Sequence, residues 1–135
     1  MAALLASSPM EVITTDRAPK PVGPYSQALL RGGHLYISGQ IPLDPRTSEV
    51  VGKTIEDQGA RVLENLRGIV ESAGFSLKDV IKTTVYLTDL GDFPKFNQLY
   101  ETFFGTHKPA RSVLQAAALP KGVRIELDAV CIGEV

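Results

Sequence analysis

Residues Val123-Arg124-Ile125-Glu126-Leu127-Asp128-Ala129-Val130-Cys131-Ile132 alternate without a break. Val123, Ile125, Leu127, Ala129 and Cys131 fall on one side of an extended chain. Arg124, Glu126, Asp128, Val130 and Ile132 fall on the other, which is the two-residue period of a β-strand. The first set is wholly apolar and needs cover from water. The second carries charges at one end and aliphatics at the other. A strand with these two faces belongs to a sheet covered by helices on one side only.

Two helices are predicted to supply the cover. Between Thr54 and Ala73 the residues Ile55, Val62, Leu66, Ile69 and Ala73 recur at helical spacing. Thr54 can cap the first-turn amides, and Asp57 stands three positions on, a capping box with Asp in place of Glu. Gly74 is placed to end the helix in the left-handed conformation, with Phe75 folding back on it. Gly59 and Gly68 each weaken a helix by up to about 1 kcal/mol, so close packing against a sheet is the expected reason for them. Asp92 is the expected cap of the second helix, and Pro94 is tolerated in its first turn. Phe96, Leu99, Tyr100 and Phe103 form its apolar stripe, and Gly105 stops it.

Strands are predicted at Glu11–Thr14, Tyr25–Leu30 and His34–Ser38, the last two joined by a hairpin turn at Arg31-Gly32-Gly33. Pro19, Pro21 and Pro24 make Asp16–Pro24 an ordered loop. Asp79–Thr88 alternates, with Ile81, Thr83, Val85 and Leu87 opposite Lys82, Thr84, Tyr86 and Thr88. Arg111–Ala117 leads into the final strand through Leu119-Pro120-Lys121-Gly122. Tyr86 and Val113 are expected on the mixed face. Strands, helix, strand, helix, strands is the order of an α+β domain. Two helices cover one face of such a sheet, so the mixed face is expected to meet another subunit; the plainer alternative is a solvated face.

Composition excludes several classes. The 135 residues carry 14 Lys+Arg and 15 Asp+Glu, a net charge of −1 that gives no electrostatic basis for coating nucleic acid. The single cysteine, Cys131, permits neither an intramolecular disulfide nor a cysteine zinc cage. The apolar runs fall well short of a membrane span. Residues 1–10 lack the basic start and long apolar core of a secretory signal; they read as a flexible tail ahead of a domain over residues 11–135. A cytoplasmic location follows as the expectation.

Few groups remain for chemistry. His34 and His107 have no partner at ligand spacing, so no metal is expected, and Ser38-Gly39 is not a nucleophile elbow. Arg111, opening a strand after Lys108-Pro109-Ala110, can clamp a carboxylate through two N–H groups, which Lys cannot do. Glu126 lies between Ile125 and Leu127, where a carboxylate must be paired or functional. The plainer reading of both is a structural ion pair or a solvated edge, because their strands are consecutive and consecutive strands often pair.

Five motifs in order carry a resemblance: Gly23-Pro24-Tyr25-Ser26-Gln27, Ser38-Gly39-Gln40-Ile41-Pro42, Val80-Ile81-Lys82-Thr83-Thr84-Val85, Pro109-Ala110-Arg111-Ser112, and Leu119-Pro120-Lys121 with Ile125-Glu126-Leu127. From about Glu11 to Glu134 the chain resembles the RidA (YjgF) family of reactive intermediate/imine deaminases. The resemblance implies a chorismate-mutase-like α+β domain, a mixed sheet with two helices on one face, and a homotrimer with pockets between subunits. It implies hydrolysis of 2-imino or 2-enamino acids such as 2-aminoacrylate to 2-keto acids and ammonia, as a 2-iminobutanoate/2-iminopropanoate deaminase. Such imines come from pyridoxal-phosphate enzymes, which the activity would protect from damage. No cofactor is implied. By the same resemblance Arg111 binds the substrate carboxylate and Glu126 activates water, while Tyr25, Ser38, Gly39 and Asn97 line the pocket, Tyr25 from across the subunit boundary. Val113 stands where many relatives carry Cys, and Lys108 where an aromatic residue often precedes the Pro-Ala-Arg motif, which bears on substrate preference. Alternatives are a non-catalytic small-acid-binding or chaperone-like module, or an endoribonuclease or translation inhibitor; the near-zero charge speaks against the last.

Overall fold

The structure is a computed structural model describing residues 9–133. The tail expected over residues 1–10 therefore lies, apart from Pro9 and Met10, outside the described residues. The elements are β1 (Glu11–Ile13), β2 (Ala28–Arg31), β3 (His34–Gln40), α1 (Ile55–Ser72), β4 (Val80–Leu87), α2 (Phe93–Phe104), β5 (Ala110–Gln115) and β6 (Ile125–Ile132). The six strands form one mixed sheet in the order β1-β2-β3-β6-β4-β5. Only β4 and β5 run parallel; a parallel pair needs a crossover, and α2 makes it. This is the expected single α+β domain with two helices.

The local signals act much as predicted. Thr54 Oγ1 accepts from the Asp57 amide at 3.1 Å. Gly74 has φ 88°, and the Phe75 amide donates back to the Val70 carbonyl at 3.1 Å, closing a Schellman cap. Gly32 (φ 57°) and Gly33 (φ 79°) make the two-residue turn between β2 and β3. One core gathers Val62, Leu66 and Ile69 of α1, Phe96 and Tyr100 of α2, and the alternate residues Ile125, Leu127, Ala129 and Cys131 of β6. Burial pushes the Cys131 thiol up to about 12, with Asp79 adding to the shift, so it packs as an apolar group.

Five expectations are corrected. Asp92 does not cap α2: its carboxylate takes Nε of Arg124 at 3.1 Å instead, and Asp89 caps the preceding short turn. Gly59 and Gly68 do not admit the sheet. A Cβ at Gly59 would lie 2.8 Å from Phe96 of α2, and one at Gly68 would lie 2.7 Å from the Arg17 carbonyl. Ile81 is the extra residue of a bulge between Val80 and Lys82 and is thrown outward, 41% exposed. Val113 pairs with fully buried Val85 and belongs to the helix-covered face, whereas Tyr86, opposite Glu126, lies on the mixed face as expected. Tyr25 precedes β2 and is not part of a strand.

Two buried amides on α1 tie the layers together. Gln58 donates to the Gly52 carbonyl at 3.1 Å and accepts the Arg124 amide at 2.8 Å, which fixes the entry into β6. Asn65 donates to the carbonyls of Ile41 and Leu43. A buried polar group left unpaired costs roughly 1–3 kcal/mol, so these bonds hold the loop after β3 in one position.

Candidate functional site

Arg111 occupies the second position of β5, opposite Thr83 of β4. Thr83 is buried on the helix-covered face, so Arg111 leaves the sheet on the α2 side. There its Nη1 donates to Asn97 Oδ1 at 2.7 Å. Its guanidinium carbon lies 4.7 Å from the Tyr100 ring centroid and 5.1 Å from that of Phe93. Both rings attract the cation through their faces. Tyr100 is held in turn by a 2.7 Å hydrogen bond with the Thr83 hydroxyl. Burial raises the Tyr100 pKa, partly offset by that bond and by the Arg111 charge, so the ring presents a neutral phenol. The guanidinium is fixed by three contacts and keeps further N–H groups to aim at an anion. Asn97, Tyr100, His107, Lys108 and Arg111 border a cleft of about 350 Å³.

Glu126 sits on the opposite face. It is the second residue of β6, paired with Tyr86, and half-buried. Among the described residues none donates a hydrogen bond to its carboxylate. Burial raises its pKa above the ordinary carboxylate value, and the neighbouring Asp128 carboxylate adds to this. Tyr86 Oη donates to Asp128 Oδ2 at 3.2 Å, so the three side chains share one patch.

Ser38 and Gly39 reach Glu126 through a break in the β3–β6 ladder. Ile37 pairs with Ala129 and Gln40 with Leu127, so three steps on β3 span two on β6. Bulges of this kind re-aim side chains beside functional sites. A Cβ at Gly39 would collide with Oε2 of Glu126 and lie 2.9 Å from its Cδ; the carboxylate occupies the space that a side chain at this position would take and would have to move to admit one. The Ser38 hydroxyl donates to the Ser26 carbonyl at 2.5 Å, which anchors the segment carrying Tyr25. Tyr25, Ser38, Gly39, Lys121 and Glu126 line a second cleft, of about 510 Å³.

The six expected site residues thus divide into two groups. Arg111 and Asn97 share one cleft; Tyr25, Ser38, Gly39 and Glu126 share the other. The plainer alternative of a strand-to-strand ion pair between Arg111 and Glu126 is excluded, because β4 lies between their strands and they project from opposite faces. Sequence reasoning missed Phe93 and Tyr100 as the cradle of Arg111. Tyr100 stands one helical turn beyond Asn97, and that spacing was the available signal.

A six-stranded mixed sheet with two helices on one face, an arginine at the edge strand and a carboxylate against a bulge glycine define the class: a single-domain protein of the YjgF/L-PSP fold. A family model described as endoribonuclease L-PSP matches residues 15–132. A RutC family protein of Pyrococcus horikoshii is 54% identical over 124 residues, covering 92% of this chain and 98% of its own. The human 2-iminobutanoate/2-iminopropanoate deaminase is 45% identical over 121 residues, covering 90% and 88%. A Rid family protein of Yersinia pestis superposes with a TM-score of 0.90 at 39% identity, covering 93% of this chain and 100% of that one. The chain belongs to the RidA (YjgF, L-PSP) family. No helix of the described residues is long and apolar enough to cross a membrane.

Proposed function

We propose that the protein hydrolyses 2-imino and 2-enamino acids, such as 2-aminoacrylate, to 2-keto acids and ammonia, acting as a 2-iminobutanoate/2-iminopropanoate deaminase in the cytoplasm and sparing pyridoxal-phosphate enzymes from these reactive products. The observation that carries the reading is the Arg111 guanidinium, clamped by Asn97, Tyr100 and Phe93 with N–H groups left for a carboxylate. A bidentate bond to the substrate carboxylate fixes the neighbouring imine carbon. Glu126 accepts a proton from water as the oxygen adds to that carbon, then delivers it to the nitrogen. The carbinolamine then collapses: Glu126 takes the hydroxyl proton and passes it to the nitrogen as the C–N bond breaks and the C=O bond forms, so keto acid and ammonia leave and the carboxylate is regenerated. The chemistry asks for orientation and a proton relay and draws on no cofactor.

A second copy of the chain completes the pocket. Arg111 and Glu126 project from opposite faces of one sheet, so a single chain brings no substrate against both. Tyr36, Leu114 and Ile132 are more than 40% exposed on or beside the uncovered face, an apolar surface that a neighbouring subunit would bury. A homotrimer with three such pockets satisfies both needs.

The test is release of keto acid and ammonia from imines generated by an amino-acid oxidase, wild type beside Arg111→Ala. Acceleration that disappears in the variant is expected. A fully active Arg111→Ala would sink the reading. Binding of keto acids with no turnover would favour a non-catalytic acid-binding module.

A further inference from the structure

The Arg111 cleft holds a second cation that carboxylate binding leaves unused. Lys108 lines the same cleft of about 350 Å³ as Arg111, and its ammonium makes no hydrogen bond or ion pair with any described residue. Three positions separate it from Arg111, so their Cα atoms are no more than about 11 Å apart. Its backbone is held on both sides. On one side His107 donates from Nε2 to the Val80 carbonyl at 2.6 Å, and its amide donates to the Phe104 carbonyl at 3.3 Å. On the other, Pro109 fixes φ just before β5 begins. His107 is committed to that carbonyl, and the Tyr100 hydroxyl to Thr83, so neither competes for an anion. Glu101 is the one carboxylate on the cleft wall; against it stand two cations.

We infer that Lys108 receives a second acidic group on the ligand, so that the cleft prefers imino and keto acids derived from dicarboxylic amino acids over those with apolar side chains. This deepens the proposed deaminase reading and rests on it for the identity of the carboxylate at Arg111. With that carboxylate on the guanidinium, a side-chain carboxylate two or three carbons away extends along the cleft toward Lys108. An ammonium is a mobile point charge on a flexible stem, suited to a terminal acid whose position varies with chain length. The preference is electrostatic and weakens as salt rises.

Calorimetric titration of the full-length wild-type protein with 2-oxoglutarate and with 2-oxobutanoate tests this without requiring turnover. 2-Oxoglutarate is expected to bind about fivefold more tightly at low salt, the upper range for an exposed ion pair. Lys108→Ala should bring the ratio to about one, and Lys108→Arg should keep it above one. Equal affinities in the wild type, a preference that survives Lys108→Ala, or binding of neither acid would overturn the inference. Failure of the deaminase reading is separately visible: imine hydrolysis would be absent while the affinity ratio still stood.

Discussion

Nη1 of Arg111 donates to Oδ1 of Asn97 at 2.7 Å, joining the edge of the sheet to the inner turn of α2. The bond uses one corner of the guanidinium, whose carbon lies 5.1 Å from the Phe93 ring centroid and 4.7 Å from that of Tyr100. Removing Asn97 leaves the charge but frees its orientation. Asn97→Ala is therefore expected to raise KM for imino acids roughly tenfold, the cost of one charge-assisted hydrogen bond. Steady-state kinetics checks it; a KM within twofold of wild type would deny Asn97 a positioning role.

Arg111→Lys should be nearly as damaging as Arg111→Ala, with kcat/KM down about 10²–10³-fold in both, because an ammonium lacks the planar fork that fixes a carboxylate. Gel filtration beside the assay separates this loss from a failure to assemble. Recovery of most activity by lysine would contradict the bidentate role.

Glu126 links activity and stability with opposite signs. Its folded-state pKa is raised by burial and by Asp128. Its ionised form therefore costs stability: the cost is absent below the ordinary glutamate pKa and develops as pH rises through the raised value. Glu126→Gln should abolish proton relay, a loss of about 10²–10⁴-fold, while melting no lower than wild type at neutral pH. That stability difference should vanish in acid. Asp128→Asn removes the like charge, so the acidic limb of the pH–rate profile should move to lower pH. A limb that stays put or moves up would assign that limb to another group.

Gly39→Ala forces a methyl group into the space of the Glu126 carboxylate. Displacement of a reacting group by about 1 Å costs on the order of 10²-fold in rate. The expected result is a kcat lowered by that order with the oligomer intact, and near-wild-type kcat would show that the carboxylate has room elsewhere.

Gln27 tests the support of Tyr25. Its buried side chain accepts the Thr15 amide at 2.7 Å and donates to the carbonyls of Thr15, Ala18 and Pro19, which pins the proline-rich loop. Gln27→Ala strands those groups and should cost about 2–3 kcal/mol in denaturant unfolding. A cost below about 0.5 kcal/mol would mean that the loop holds itself.

Much of this was written locally in the sequence. The helices followed from apolar spacing and from caps at Thr54 and Gly74, and the strand faces of β6 from strict alternation. What escaped was set by distant partners. Ile81 breaks its alternation because β6 offers one residue where β4 supplies two. Asp92 has the composition of a cap, but Arg124, brought near by the fold, takes its carboxylate. Arg111 and Glu126 lie on consecutive strands, and consecutive strands often pair; the parallel crossover through α2 instead puts β5 at the edge and leaves β4 between them. Period-two patterns reveal which residues share a face of one strand, and they carry no information about which strand comes next in the sheet.

The proposed pairing of Arg111 with Glu126 across two copies is open to a direct measurement. Arg111→Ala and Glu126→Gln proteins, each inactive alone, are unfolded together, refolded as a mixture and assayed for imine hydrolysis. Random mixing in a cyclic trimer rebuilds roughly a quarter of the pockets with both groups intact, so activity should return to about that fraction of wild type. A mixture that co-assembles and stays inactive would contradict a pocket built from two chains.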